Sequence, residues 1–314
     1  MVRIVDRLAD ATGVGEAIAG GILLGAATSL GGTVTSVSTA YAGATDLAIG
    51  NAIGGIAVQT AFLGIADLAH RRANLEHAAA SIENLLQAAL LVSMLSIPLV
   101  ASGVPAVTVF GVDLFSFVIL GFYVFANWLV LQAKKAPMWF PQKSRETQDE
   151  AAEQQEEGAN IPRLLAGFLP LALLCGGAGY LLGETGVVLS DRTGISQTAV
   201  GGVMTSVMTS VPELVTSVAA VRRGALNLAV GGIIGGNVFD VLFLVLGDVA
   251  YREGSLYHAF TDTHRFAVAI SIWMTGILLL GLLKRDRYGP AGVGFESVGV
   301  MGLYALAAFV MATA

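Results

Sequence analysis

The chain has 314 residues, 55% of them hydrophobic and only 13% charged, with a mean hydropathy of +0.73. A soluble domain of this length has no use for so much apolar surface, so composition excludes a water-soluble globule and points to a helical protein in a lipid bilayer. The net charge is −6, but six of the acids sit in one loop, so the total singles out no partner. No nucleic acid and no cofactor is expected. The single Cys175 lies in an apolar run, which excludes an intramolecular disulfide and a thiolate metal cluster. Residues 1–16 carry Arg3, Asp6, Arg7 and Asp10 with no apolar stretch, so no cleavable signal is expected.

Nine apolar runs are long enough to cross a bilayer: 17–41, 46–68, 82–101, 107–132, 162–183, 199–221, 226–249, 265–283 and 293–313. Each is expected to be a helix, because an isolated strand cannot satisfy its backbone in lipid. Asp46 and Asn227 stand just before apolar runs, where a short polar side chain caps a helix. The polar stretch 133–161 reads as a solvated linker between a first half, 1–132, and a second half, 162–314. With nine spans, fourteen of the Lys and Arg residues fall on one side of the membrane and only Arg192, Arg252 and Arg265 on the other. This asymmetry places the N-terminus and the 133–161 loop in the cytoplasm and the C-terminus outside, in a multi-pass protein of the cell membrane.

The halves contain one passage twice. Residues 20–69 align without a gap onto 201–250, an offset of 181, and 20 of the 50 positions are identical. The cores read TSLGGTVTSV…GATDLAIGNAIGG (28–55) and TSVPELVTSV…GALNLAVGGIIGG (209–236). The turn inside the first copy, 38–46, has no basic residue, whereas that of the second, 219–227, carries Arg222 and Arg223. The copies are therefore expected to be inverted, the architecture of alternating-access transporters with a site between the halves.

In the second copy, Thr209, Glu213 and Ser217 share one helix face at i, i+4, i+8. Pro212 removes a backbone donor and frees carbonyl oxygen near Thr209. Asp240 follows in the next helix, with Asn237 alongside. Both acids fall near mid-span, where an ionised group costs roughly 2.5–3.5 kcal/mol on insertion scales, an expense that argues for function. Carboxylates, hydroxyls and freed carbonyls form a hard-oxygen set, suited to Ca²⁺, Na⁺ or H⁺ rather than to soft metals.

TSVPELVTSV with GGNVFD (235–240) resembles the α-repeat of the sodium/calcium exchanger family, within the cation/calcium antiporter superfamily. The second copy matches the family's motifs well, and the first is degenerate. The resemblance implies an all-α inverted-repeat bundle of ten helices, here about nine because the family's first helix has no counterpart ahead of the repeat. It implies cation sites at mid-membrane and exchange by alternating access. Carried onto this chain, Glu213 resembles the central ion-binding carboxylate, Asp240 the acid of the partner helix, and Thr209 and Ser210 hydroxyl or carbonyl ligands. Thr28, Ser29 and Gln59 contribute from the first half, while Gly32 offers only its carbonyl.

Where the family has Pro-Glu in its first repeat, this chain has Gly31 and Gly32, and where the family has Ser-Asn-x-Phe-Asn it has Gly55-Ile56-Ala57-Val58-Gln59. The expected function is thus a cation antiporter exchanging Ca²⁺ against Na⁺ or H⁺. A monovalent Na⁺/H⁺ antiporter and a non-transporting ion-binding membrane protein remain as alternatives. The absent helix leaves open a homo-oligomer or a partner that supplies it. The spans hold no Ser/His or His-Glu-x-x-His pattern, so an enzyme is not expected. The glycines of 50–55 and 231–236 read first as helix-packing residues, Asp67 and Asp248 as solvated or capping groups at helix ends, and His70 and His77 as solvated. All four His are read as loop residues, and Trp128, Trp139 and Trp273 as interfacial or packing residues.

Overall fold

A small set of buried hydrogen bonds, repeated at an offset of 181 residues, organises the molecule. The computed structural model describes residues 28–69, 74–79, 81–140, 161–287 and 294–314, with the single residues 4, 142 and 289. The helices of the first half are α1 (Leu30–Tyr41), α2 (Thr45–Ala69), the short α3 (Leu75–Ala78), α4 (Ile82–Gly103) and α5 (Leu114–Lys135). The second half has α6 (Ile161–Thr193), α7 (Gln197–Arg223), α8 (Leu226–Asp240), α9 (Leu242–Ala250), a 3₁₀ turn at Leu256–Ala259, α10 (Asp262–Lys284) and α11 (Phe295–Thr313).

Among the described residues, eight helical segments are long and apolar enough to cross a membrane. The expected first span, 17–41, falls largely outside the described residues, and its described part is α1. The expected absence of a counterpart to the family's first helix also falls there. Two boundaries and one internal segment differ from expectation. Residues 107–113 are not helical: Thr108–Val109 pairs antiparallel with Val112–Asp113 through a turn in which Phe110 and Gly111 both have positive φ. Helix α6 runs ten residues past 183, because Glu184, Asp191 and Arg192 are exposed and extend it beyond the apolar slab. Inside α7, Val200–Thr205 forms a π-helical segment that no apolar periodicity announces.

The offset survives in three dimensions. Ser36 Oγ donates to the Ala48 carbonyl at 3.2 Å, and its counterpart Ser217 Oγ to the Ala229 carbonyl at 3.5 Å. The turn glycines Gly43 and Gly224 both sit in the left-handed region, at φ 80° and 82°, where a Cβ is strained. Asp67 and Asp248 are buried, not solvated, and each ties two loops together. Asp67 accepts from the backbone N–H of Leu75 at 2.7 Å and of Gly294 at 3.3 Å and from Ser297 Oγ at 3.0 Å. Asp248 accepts from the counterpart groups, the N–H of Leu256 at 2.9 Å and of Asp113 at 2.8 Å, and Ser116 Oγ at 2.7 Å. These bonds place the end of α2 beside the start of α11, and the end of α9 beside the start of α5. The helices between them alternate direction, so α2 and α8–α9 run oppositely and the copies are inverted.

Helix α2 lies at the centre and is buried along most of its length, whereas α5 and α6 turn Phe117, Val124, Trp128, Leu173, Leu174 and Leu181 outward, as lipid-facing helices do. Trp273 is likewise exposed. Gly50 and Gly54 bring α2 against the backbone of Gly201 and Gly202: a Cβ on Gly50 would stand 2.8 Å from the Gly202 nitrogen, and one on Gly54 would enter the Gly202 carbonyl. Asn227 makes no side-chain cap at the start of α8, where Ala225 is the N-cap residue. Asp46 lies in the first turn of α2 with its carboxylate 4.0 Å from His264 Nδ1. His264 is itself buried in the first turn of α10 rather than in a loop. His77 is only partly exposed, and its Nδ1 meets the Arg285 carbonyl at 2.7 Å. His70 lies outside the described residues.

The two anchors differ in one respect. Tyr257, which touches Ser116 Oγ at 3.0 Å, has Glu76 as its counterpart beside Asp67. Burial, and then the charges of Asp67 and Glu296, push the Glu76 carboxyl well above its ordinary value of 4.5. An unfolded chain releases that proton near 4.5 while the folded chain keeps it, so this group's contribution falls as pH rises above that value. Glu76→Gln is expected to flatten the decline. Melting temperatures from pH 4.5 to 8 check it, and an unchanged slope in the variant would contradict the assignment.

Candidate cation site

Four helices deliver polar side chains to one buried place. The start of α1 brings Thr28 and Ser29, α2 brings Gln59, α7 brings Ser210 and Glu213, and the last residue of α8 is Asp240. Helix α7 is suited to this because Pro212 lacks an N–H, which leaves the Met208 carbonyl without its helical donor. Between α8 and α9 the helix is interrupted at Val241, directly after Asp240.

Glu213 is 2% exposed and Asp240 0%. Ser29 Oγ donates to Glu213 Oε1 at 3.2 Å, and Thr28 lies beside this carboxylate. Gln59 Nε2 donates to Asp240 Oδ2 at 2.7 Å and to Ser210 Oγ at 3.2 Å, joining the halves through counterpart positions 59 and 240. Ser29 also reaches Asp240. Gly55 keeps a face open here: a Cβ on it would lie 3.8 Å from both Asp240 Oδ2 and Ser210 Oγ. Among the described residues, Glu213 Oε2, Asp240 Oδ1 and Gln59 Oε1 are buried without a hydrogen-bond partner, as is Asn237 Oδ1 nearby in sequence. Buried oxygens left in this condition are rare and destabilising unless something binds them.

Six of the seven residues singled out from the sequence thus converge: Thr28, Ser29, Gln59, Ser210, Glu213 and Asp240. Thr209 is engaged elsewhere, donating to Asn51 Oδ1 at 3.3 Å and to the Thr205 carbonyl at 2.9 Å. Ser217 faces the Ala229 carbonyl and takes no part. The Gly32 carbonyl is occupied by Asn51 Nδ2 at 3.1 Å, and a Cβ on Gly32 would stand 2.7 Å from the Phe243 ring. A side chain at position 32 would therefore run into the Phe243 ring. Sequence reasoning missed Asn51, although a lone Asn within the apolar run of α2 was a signal; its counterpart is Gly232, so the repeat alignment did not flag it. It also missed Thr60, which accepts from Asn237 Nδ2 at 2.9 Å. Among the described residues no group of three or more His, Cys, Asp or Glu forms a metal cluster, so the donor set is two carboxylates with neutral oxygens.

Comparison with known proteins gives the family and the fold. The family model described as sodium/calcium exchanger protein matches residues 1–135 and 163–313, both halves of the chain. The chain belongs to the sodium/calcium exchanger family. It is 37% identical over 101 residues to the inner membrane protein YrbG of Escherichia coli, a stretch covering 30% of each chain. It is 35% identical over 91 residues to the sodium/calcium exchanger MaX1 of Methanosarcina acetivorans, covering 29% of this chain and 25% of that one. Its fold is similar to the sodium-calcium exchanger NCX_Mj soaked with Na⁺ and Sr²⁺, with a TM-score of 0.66 at 18% identity over 98% of this chain and 90% of that one.

Gln59→Leu removes the donor that serves Asp240 and Ser210 while keeping the volume close. A buried acceptor left unpaired costs about 1–3 kcal/mol, and the melting temperature in detergent should fall accordingly. A variant melting at the wild-type temperature would show that this cross-repeat bond carries no stability.

Proposed function

We propose that this family member is a secondary active antiporter that exchanges Ca²⁺ against Na⁺ or H⁺ at the Glu213–Asp240 site by alternating access. The observation that carries the reading is the pair of buried carboxylates, each with one oxygen unpartnered among the described residues, beside the free Gln59 Oε1. Two carboxylates in a desolvated place balance one divalent ion or two monovalent ones, and either load leaves the site neutral. Ser29, Thr28, Ser210 and Gln59 supply the neutral oxygens a hard cation requires. Because Ser29 and Gln59 come from one repeat and Glu213 and Asp240 from the other, rocking one repeat against the other opens the site to alternate sides. Relatives named as sodium/calcium exchangers support the choice of ions.

The protein sits in the cell membrane with its C-terminus outside. In support, among the described residues Lys134, Lys135, Arg222, Arg223, Lys284, Arg285 and Arg287 gather at the end of the bundle where α2 finishes, and Arg192, Arg252 and Arg265 lie toward the other. A Na⁺/H⁺ exchange without Ca²⁺ is the second reading. It is favoured by the closed position at Gly32, where no third carboxylate joins Glu213 and Asp240.

Glu213→Gln keeps the shape of the side chain and removes its charge. In proteoliposomes, gradient-driven uptake of ⁴⁵Ca²⁺ should fall on the order of 100-fold, equivalent to roughly 2.7 kcal/mol. Wild-type uptake by the variant would remove Glu213 from the mechanism, and ²²Na⁺ exchange with no ⁴⁵Ca²⁺ uptake in the wild type would select the second reading.

A further inference from the structure

Asp67 gathers two distant segments of the chain, and both bring buried oxygens that nothing serves. Its Oδ1 accepts from the Leu75 N–H at 2.7 Å, and Asn74 and Glu76 flank that residue. Its Oδ2 accepts from the Gly294 N–H at 3.3 Å and from Ser297 Oγ at 3.0 Å, and Glu296 lies between those two. Glu76 and Glu296 are each 2% exposed, and Asn74 is 1% exposed. Among the described residues, Glu76 Oε2, Glu296 Oε2 and Asn74 Oδ1 are buried without a hydrogen-bond partner. The Asn74 amide has one possible orientation. Its Nδ2 donates to the Asp286 carbonyl at 2.9 Å, and a carbonyl only accepts, so Oδ1 is the atom left over.

The anchor itself does not call for these acids. Its counterpart Asp248 holds the N–H groups of Leu256 and Asp113 and the Ser116 hydroxyl in the same way. There the counterparts of Glu76 and Glu296 are Tyr257 and Phe115, and the Tyr257 hydroxyl is satisfied by Ser116 Oγ at 3.0 Å. At Asp67 the packing instead makes room for a carboxyl. A Cβ on Gly281 would stand 2.6 Å from Glu296 Cγ, and one on Gly294 would enter the Glu296 carboxylate. Lys284 Nζ, in the last turn of α10, pairs with Asp286 at 2.8 Å and with neither glutamate. Burial, and then the charges of Asp67 and Glu296, act against a bare Glu76 carboxylate. Buried oxygens in this condition are destabilising unless something positive binds them. Carboxyl and amide oxygens are hard donors, which select a hard cation. Asp67 stands outside the donor set because three donors already engage it, so the two glutamates fix the charge to be balanced.

We propose that Glu76, Glu296 and Asn74 form a second cation site, at the end of the bundle where α2 finishes, that takes a hard divalent ion such as Ca²⁺. The ion balances both glutamates, and water completes its coordination, as it does for hard ions held by few carboxylates. It clasps the end of α2, the short α3 and the start of α11 together. The site shares no residue with Glu213 and Asp240, so it stands apart from the antiporter reading.

The test is equilibrium dialysis of purified full-length protein in detergent against ⁴⁵Ca²⁺ at neutral pH, with choline chloride holding the ionic strength constant. The double variant E213Q/D240N removes the charges of the other site and leaves this one intact. It should still bind about one Ca²⁺ per chain, and adding E76Q and E296Q should abolish that binding. No saturable Ca²⁺ binding by E213Q/D240N, or binding that survives E76Q and E296Q, overturns the proposal. If either of these multiple variants fails to fold, E296Q alone is dialysed beside the wild type. A loss of about one ion per chain supports the proposal, and an unchanged count overturns it. Failure of the antiporter reading shows separately: E213Q/D240N then binds as many Ca²⁺ ions as the wild type, and the effect of E76Q and E296Q is untouched.

Discussion

Two carboxylates buried where four membrane helices meet set the terms for the rest of this structure. Glu213 and Asp240 lie out of reach of solvent, and the hydroxyls and amide around them satisfy only part of their oxygen. In a bilayer such a centre persists only if the helices around it are held firmly and if something positive visits it. The holding is visible. Gly50 and Gly54 press α2 onto the backbone of α7, and the Gln59–Asp240 bond ties α2 to α8. The ends of the central helices are pinned by Asp67 and Asp248, whose bonds to the loops replace the solvent those backbone groups would otherwise require.

The inverted pair of halves explains why the same fastenings occur twice and why their exceptions are informative. Ser36 and Ser217, Asp67 and Asp248, Gly43 and Gly224 do equal work at positions 181 residues apart. Three of the differences between counterparts mark chemistry instead of architecture. Gly32 against Glu213, Gln59 against Asp240 and Asn51 against Gly232 all lie around the polar centre, and together they leave the second half with both acids and the first with two amides. A symmetric scaffold thereby carries an asymmetric load, with the negative charge on one repeat and the neutral donors on the other.

Much of this was legible in the residues. Eight of the nine apolar runs are spans among the described residues, as the bilayer's thickness requires, and the α-repeat motif around Pro212 and Glu213 is specific enough to name the family. Gln59 was expected as a first-half contributor to the site, and the structure shows its bond to Asp240. What the sequence hid has physical causes. The hairpin at Thr108–Asp113 reads as apolar because its side chains are, yet Gly111 and the Asp113 N-cap turn the chain. The burial of Asp67 and Asp248 depends on loops that return from distant parts of the chain, and no local pattern reports that. The engagement of Thr209 with Asn51 is a contact between residues 158 apart in sequence, visible only once the halves are packed.

The most direct test of the central claim is to locate the ion. Crystals of the full chain soaked in Sr²⁺, a heavier stand-in for Ca²⁺, give an anomalous signal whose position is independent of any transport assay. The account predicts a peak between Glu213 Oε2 and Asp240 Oδ1, within coordination distance of Gln59 Oε1 and the Ser29 or Ser210 hydroxyl. Sr²⁺ peaks found only elsewhere, with these carboxylate oxygens uncoordinated at saturating concentration, would contradict it.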